Sequence, residues 1–143
     1  MSEEHFRKLE QTYAVAPCNQ YYAPTLKVSR GTSEVTFAVQ KSFFHPGRAV
    51  HGSVYFKALD DAAYFAVNSL IEDVAVLTVS FTIHFMRPVS EGQLKAIGKV
   101  AHAADRMFFA ESVLTDSRDR VLATGVGTFV RSKVALAPEI GYE

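Results

Sequence analysis

Residues 53 to 71 constrain this chain more than any other stretch. Read as a helix, SVYFKALDDAAYFAVNSLI is apolar over most of its circumference. The exceptions are Lys57, Asp60, Asp61, Tyr64 and Asn68, spaced three or four apart, which make a narrow polar stripe. A helix this apolar must be wrapped by something large.

The wrapping material follows at once. VAVLTVSFTIHFMRP is long and β-branched, with Val79, Phe81, Ile83 and Phe85 alternating against Thr78, Ser80, Thr82 and His84. Three further strand-like runs, LKAIGKVAHA, MFFAESVLTD and RVLATGVGTFVRSK, follow the short linkers SEGQ, ADR and SRD. Four strands in an antiparallel meander are expected. Upstream, TLKVS and SEVTFAVQ flank an RGT turn, and His45-Pro46-Gly47 breaks the pattern into a loop. A short helix over 3–14 would carry Phe6, Leu9 and Tyr13 on one face, whereas the tail after Lys133 has no clear pattern. The fold class expected is α+β, a single domain in which a curved antiparallel sheet wraps one long central helix.

Composition narrows the function classes. Lys and Arg number 15, as do Asp and Glu, so the formal net charge is zero and neither nucleic acid nor an anionic membrane is an expected partner. A nearly neutral chain gains solubility by hiding surface in an oligomer. Cys18 is the single cysteine, so no internal disulfide can form, and it has no companion motif. The opening SEEHFRKLEQ is charged throughout and lacks a signal-peptide core, and no apolar run approaches a membrane span; a cytoplasmic location is expected. His5, His51, His84 and His102 do not sit at zinc-site spacings, so no metal is expected, and His84 reads as an interface or surface residue.

Two local features carry candidate chemistry. The carboxylates form a solvated helix stripe in which Lys57 pairs with Asp61 at i,i+4, or one of them lies among apolar neighbours with a raised pKa and serves as base or nucleophile. Asp60 lies about 100° round the helix from Asp61, so Lys57 need not serve both. The His51-Gly52 corner is a backbone convenience, or its free N–H groups at a helix start grip a carbonyl oxygen as that oxygen gains negative charge.

Taken together, HGSVYFKALDDAAYFAVNS resembles the helix motif of the hotdog-fold acyl-CoA thioesterases of the phenylacetate-pathway type. Those proteins carry His-Gly-Gly, an Asp nine residues after the His, then small residues; here the Asp is Asp60, and Ala62, Ala63 and Ala66 are the small residues. FTIHFMRPVSEGQLKAIGKV is similar to the family's central strand and following turn, and DSRDRVLATGVGTFV to its last hairpin.

The resemblance implies an acyl-CoA thioesterase working as a homodimer, with dimers often pairing into a tetramer and each site lying between protomers. The Gly52 N–H would polarise the thioester carbonyl, with His51 beside it. Asp60 would come from the other protomer as nucleophile or as general base for water, and Thr78 would orient that water. No cofactor is implied, since coenzyme A arrives as part of the substrate. Two positions depart from the family: Ser53 replaces the second Gly and narrows backbone approach, and His45 stands where Asn is usual. Tyr55, Phe56, Tyr64 and Phe65 cluster near the site and either line an aromatic-friendly or medium-chain acyl pocket or are plain core. Arg131 and Lys133 either meet coenzyme A phosphates or form a solvated strand end. Asp61 would serve the fold through Lys57.

Two other functions fit parts of the pattern. FFHPGRAVHG is similar to the His-containing loop of hotdog hydroxyacyl dehydratases, although Lys57 falls where their Glu would be. A non-catalytic acyl-CoA-binding hotdog protein is the other, favoured by Ser53 and His45.

Overall fold

The computed structural model describes residues 2–143. Helix α1, Glu3–Val15, opens with Ser2 as N-cap, its side chain accepting the His5 N–H. A 3-10 turn at Pro17–Gln20 leads to strands β1, Thr25–Ser29, and β2, Thr32–Ala38, joined at Arg30-Gly31. Helix α2 spans Gly52–Asn68, and strands β3, Val74–Phe85, β4, Gln93–Ala103, β5, Phe108–Thr115, and β6, Val121–Ala135, follow. α2 ends three residues earlier than its apolar pattern suggests. Asn68 explains this: its amide donates to the carbonyls of Ile71 and Val74 and accepts from Val76 N–H, stitching the turn onto β3. Asn68 is therefore buried rather than part of a solvated stripe.

All strand pairs are antiparallel, in the order β1-β2-β4-β5-β6-β3. The expected four-strand meander holds for β4-β5-β6 and fails for β3, which pairs with β6 at the far edge. Residues 86–92 run past the β5–β6 turn: Met86 N–H and Arg87 N–H donate to the Leu122 carbonyl at the start of β6, and Gln93 N–H donates to Ser117 Oγ in the turn. Seven residues reach at most about 24 Å, and passing two intervening strands needs about 15 Å. A linker as short as a hairpin loop can thus make a crossover.

The sheet curls round α2, which packs against all six strands. Small residues on the helix let it sit close: Ala58, Ala62, Ala63 and Ala66 are fully buried. On the sheet side Gly98 faces them, and a Cβ there would lie 2.2 Å from the Ala62 carbonyl oxygen, so no side chain fits. Ser33 and Ser112 hydroxyls donate to the Ala62 and Leu59 carbonyls from β2 and β5, tying the sheet to the helix.

α1 covers the other end of the sheet through Phe6, Leu9 and Tyr13, as their shared face predicts. It also blunts the β1 edge, where Glu10 accepts the Val28 N–H and Arg7 donates to the Val28 carbonyl. The tail is ordered: a 3-10 turn at Pro138–Ile140 folds back on α1, and Tyr142 meets buried His5. This is the hotdog arrangement, a curved antiparallel sheet around one central helix.

Candidate active site

α2 carries two groups of candidate residues at separate heights. At its start His51 is the N-cap, and its Nδ1 accepts the Ser53 N–H at 2.9 Å. The Ser53 hydroxyl lies 2.8 Å from the same nitrogen, so Ser53 is folded back on His51. With Ser53 N–H taken, no acceptor among the described residues takes the Gly52 N–H. That donor stands at the positive end of the helix dipole. The Phe85 ring covers the Gly52 α-carbon, where a Cβ would lie 3.0 Å from it. The His45 ring faces His51 at 6.4 Å between centroids, and its Nδ1 accepts the Gly47 N–H, which leaves the Nε2–H free to donate.

Eight residues further along α2, about 12 Å, lie Asp60 and Asp61. Their environments differ. Asp61 is almost buried, held by Lys57 Nζ at 2.9 Å and the Tyr13 hydroxyl at 2.6 Å. Burial raises its pKa, while Lys57 and Tyr13 work in the opposite direction. Lys57 also donates to Asn19 Oδ1 at 2.6 Å and lies over the Tyr13 and Tyr22 rings. The i,i+4 pair is present as the spacing suggests, but α1 and the 3-10 turn roof it over rather than leaving it solvated. Burial beside Asp61 also pushes the Tyr13 hydroxyl pKa up.

Among the described residues no cation contacts Asp60. Thr78 Oγ1 donates to its Oδ1 at 2.9 Å, leaving Oδ2 free. Burial pushes Asp60 up to about 6, and the neighbouring charge of Asp61 adds to this, while Thr78 and Lys57 pull the other way. A carboxylate in that range is ionised at neutral pH yet basic enough to take a proton.

Strict alternation along 74–85 would put Thr78 on the opposite face from Phe81, Ile83 and the core. The structure differs because β3 bulges: Thr78 pairs with Phe129 and Ser80 with Thr128, so Val79 is an extra residue. Before the bulge the even-numbered Val76 and Thr78 face α2; after it the odd-numbered Phe81 and Ile83 do. Val79 itself is exposed.

Asp60, Thr78 and Tyr64 open onto a cavity of about 920 Å³ between α1, α2, β3 and the tail. Burial raises the Tyr64 hydroxyl to about 12. Residues missed from the sequence lie here too. Tyr13 and Asn19 build one wall and Cys18 lies at its edge, the thiol 3.8 Å from Lys57 Nζ. The one signal for this was the apolar face of α1.

Arg131 and Lys133 lie apart, exposed near the end of β6. Arg131 rests on the Phe108 ring and pairs loosely with Asp73 at 3.5 Å. His84 is exposed on β3. No cluster of three His, Cys, Asp or Glu side chains suited to a metal occurs among the described residues. Nor is any helix among them long and apolar enough to cross a membrane.

The sequence model of the Thioesterase superfamily matches residues 47–123, more than half of the chain, including the helix start, both aspartates and Thr78. The chain belongs to the Thioesterase superfamily. A "Putative esterase SSO1253" of Saccharolobus solfataricus is 27% identical over 104 residues, spanning 73% of this chain and 69% of that one. Among solved structures, the E. coli PaaI protein from the phenylacetic acid degradation operon superposes with a TM-score of 0.85 at 20% identity, covering 94% of this chain and 97% of its own. A thioesterase family protein from Silicibacter pomeroyi gives 0.81 at 23% identity, covering 88% and 96%. These likenesses carry the fold, and superfamily membership supports thioester hydrolysis as the class of activity. α1 and the tail lie outside the matched residues.

Proposed function

We propose that the protein is an acyl-CoA thioesterase whose active site is shared between two copies of the chain. The observation that carries this reading is Asp60: partly buried, raised to about 6, held by one hydroxyl and open on its other oxygen. Asp60 and Gly52 of one chain are about 12 Å apart along α2. The carboxylate and the amide therefore cannot both reach one thioester carbonyl unless a second copy supplies one of them.

In the proposed step Asp60 Oδ2 takes a proton from a water while that water's oxygen bonds to the thioester carbon. The carbonyl oxygen becomes negative and accepts the Gly52 N–H of the second copy, backed by the helix dipole. The carbon–sulfur bond then breaks, the electron pair leaves on sulfur, and the proton passes from Asp60 to the thiolate. The products are a free acid and coenzyme A.

Thr78 fixes Asp60, and His51 with Ser53 fixes the direction of the Gly52 N–H. His45 keeps Nε2–H as a second donor on the carbonyl side. Tyr64 sits beside Asp60 toward the acyl group, and Arg131 and Lys133 are assigned to the coenzyme A phosphates.

The test is thiol release from a panel of acyl-CoAs by the parent and by Asp60→Asn, which keeps shape and removes the base. Loss of release in the variant is expected. Release at the parental rate would remove Asp60 from the mechanism. Tight binding without release by the parent would make the protein a non-catalytic binder, and an enoyl product from a hydroxyacyl thioester would make it a dehydratase.

A further inference from the structure

The cavity beside Asp60 is walled in part by α1 and the tail, which lie outside residues 47–123. α1 contributes Leu9 and Val15, the tail Leu136 and Ile140, and between them lie Phe65 of α2 and Leu77 of β3. The tail is held across the opening at three points. Leu136 N–H donates to the Asp73 carbonyl. His5 donates from Nε2 to the Asn68 carbonyl at 2.9 Å and accepts the Tyr142 hydroxyl at Nδ1, 2.8 Å. Gly141, in the left-handed region at φ 85°, lies flat on α1, where a Cβ would meet Val15 at 2.4 Å.

The lining of this chamber is mixed. Asp60, Asp61, Lys57 and Thr78 lie on α2 and β3, with Thr12, Tyr13, Asn19, Tyr64 and Asn68 as further polar residues among the apolar ones. Lys57 is the one basic side chain among the described lining residues, and Asp61 and Asn19 already hold it. Glu139 and Glu143 add acidic groups on the tail. A phosphate-bearing nucleotide is repelled by such a lining.

We infer that this chamber is the acyl pocket and that α1 and the tail make the enzyme select neutral, apolar, medium-chain acyl groups. The inference rests on the thioesterase reading above and adds its substrate class. From Asp60 to Asn68 the chamber follows eight residues of α2, about 12 Å, well beyond what an acetyl or propionyl group fills. Each methylene that enters is expected to raise kcat/KM about fourfold until the chamber is full. A terminal carboxylate is disfavoured, because the tail side of the cavity carries the exposed carboxylates of Glu139 and Glu143 and the one lining cation, Lys57, is already held by Asp61.

The experiment measures kcat/KM for acetyl-, butanoyl-, hexanoyl-, octanoyl- and adipyl-CoA with the parent, Ile140→Trp and Ile140→Ala. Expected are a rise from acetyl to octanoyl and at least a tenfold preference for hexanoyl over adipyl, about 1.4 kcal/mol. The octanoyl-to-butanoyl ratio should fall at least tenfold in Ile140→Trp and rise in Ile140→Ala. A flat length profile, equal use of adipyl, or ratios unmoved by both variants would overturn the assignment. Octanamide, a neutral analogue of the acyl group, titrated calorimetrically against the same proteins reads the chamber without turnover. Octanamide binding that follows the variants with no thioester cleaved sinks the thioesterase reading alone. Cleavage with octanamide binding indifferent to Ile140 sinks the chamber alone.

Discussion

Thr78 Oγ1 reaches Asp60 Oδ1 across 2.9 Å because β3 gains one residue at Val79. The bulge turns Thr78 inward without turning Phe81 and Ile83 outward, so one strand serves both the site and the core. Removing the donor with Thr78→Val takes away an interaction that lowers the Asp60 pKa. The acid limb of the pH–rate profile should move to higher pH, and kcat/KM at pH 7 should fall about tenfold. Thr78→Ser should restore both.

Deleting Val79 isolates the bulge. Without it, either Thr78 or the Phe81–Ile83 pair must face the wrong way, because a one-residue slip exchanges the faces of a strand. A loss of about 3 kcal/mol or more is expected, as for emptying a core position, measured by urea unfolding.

Asp60 is costly to the fold. Its native pKa, about 6, lies above the ordinary 3.8, so between pH 4 and 6 the native state binds more protons than the unfolded chain. Stability should therefore fall as pH rises through that window. Asp60→Asn should be about 2 kcal/mol more stable than the parent at pH 7 and lose that advantage below about pH 4. The same variant should be slower by about a thousandfold. Urea titrations at pH 4 and pH 7 beside thiol-release rates check both halves.

Tyr13 anchors α1 to the site through its 2.6 Å bond to Asp61. Tyr13→Phe keeps the ring against Phe65 and leaves a nearly buried carboxylate oxygen short of a donor. Urea unfolding should give a loss of about 1–3 kcal/mol.

Much of the layout was legible in the chain. The period of 53–71 and the alternating runs after it give the helix and strands to within a few residues, and Lys57 and Asp61 pair as i,i+4 spacing suggests. The position of β3 was not legible, because seven linking residues serve a hairpin or a crossover equally well. The bulge was not legible for a different reason: it leaves no mark on a β-branched run, and Val79 looks like any other strand residue. Contacts between distant parts of the chain, Tyr13 to Asp61 and His5 to Tyr142, depend on packing that no local pattern encodes. The polar stripe was readable, but its roof was not.

The central claim is that a working site needs Asp60 from one chain and Gly52 from another. Gly52→Pro removes one N–H at the first helical position, where proline is tolerated, and His51 already has the extended ψ of 145° that a following proline requires. The exposed Phe85 ring, 3.0 Å from the added Cβ, has to shift by a few tenths of an ångström. Gly52→Pro and Asp60→Asn, each inactive alone, are to be unfolded together, refolded and assayed for thiol release. A shared site predicts recovery of about a quarter of parental activity, since half the dimers carry one intact site of two. A mixture that stays as inactive as its components would contradict it.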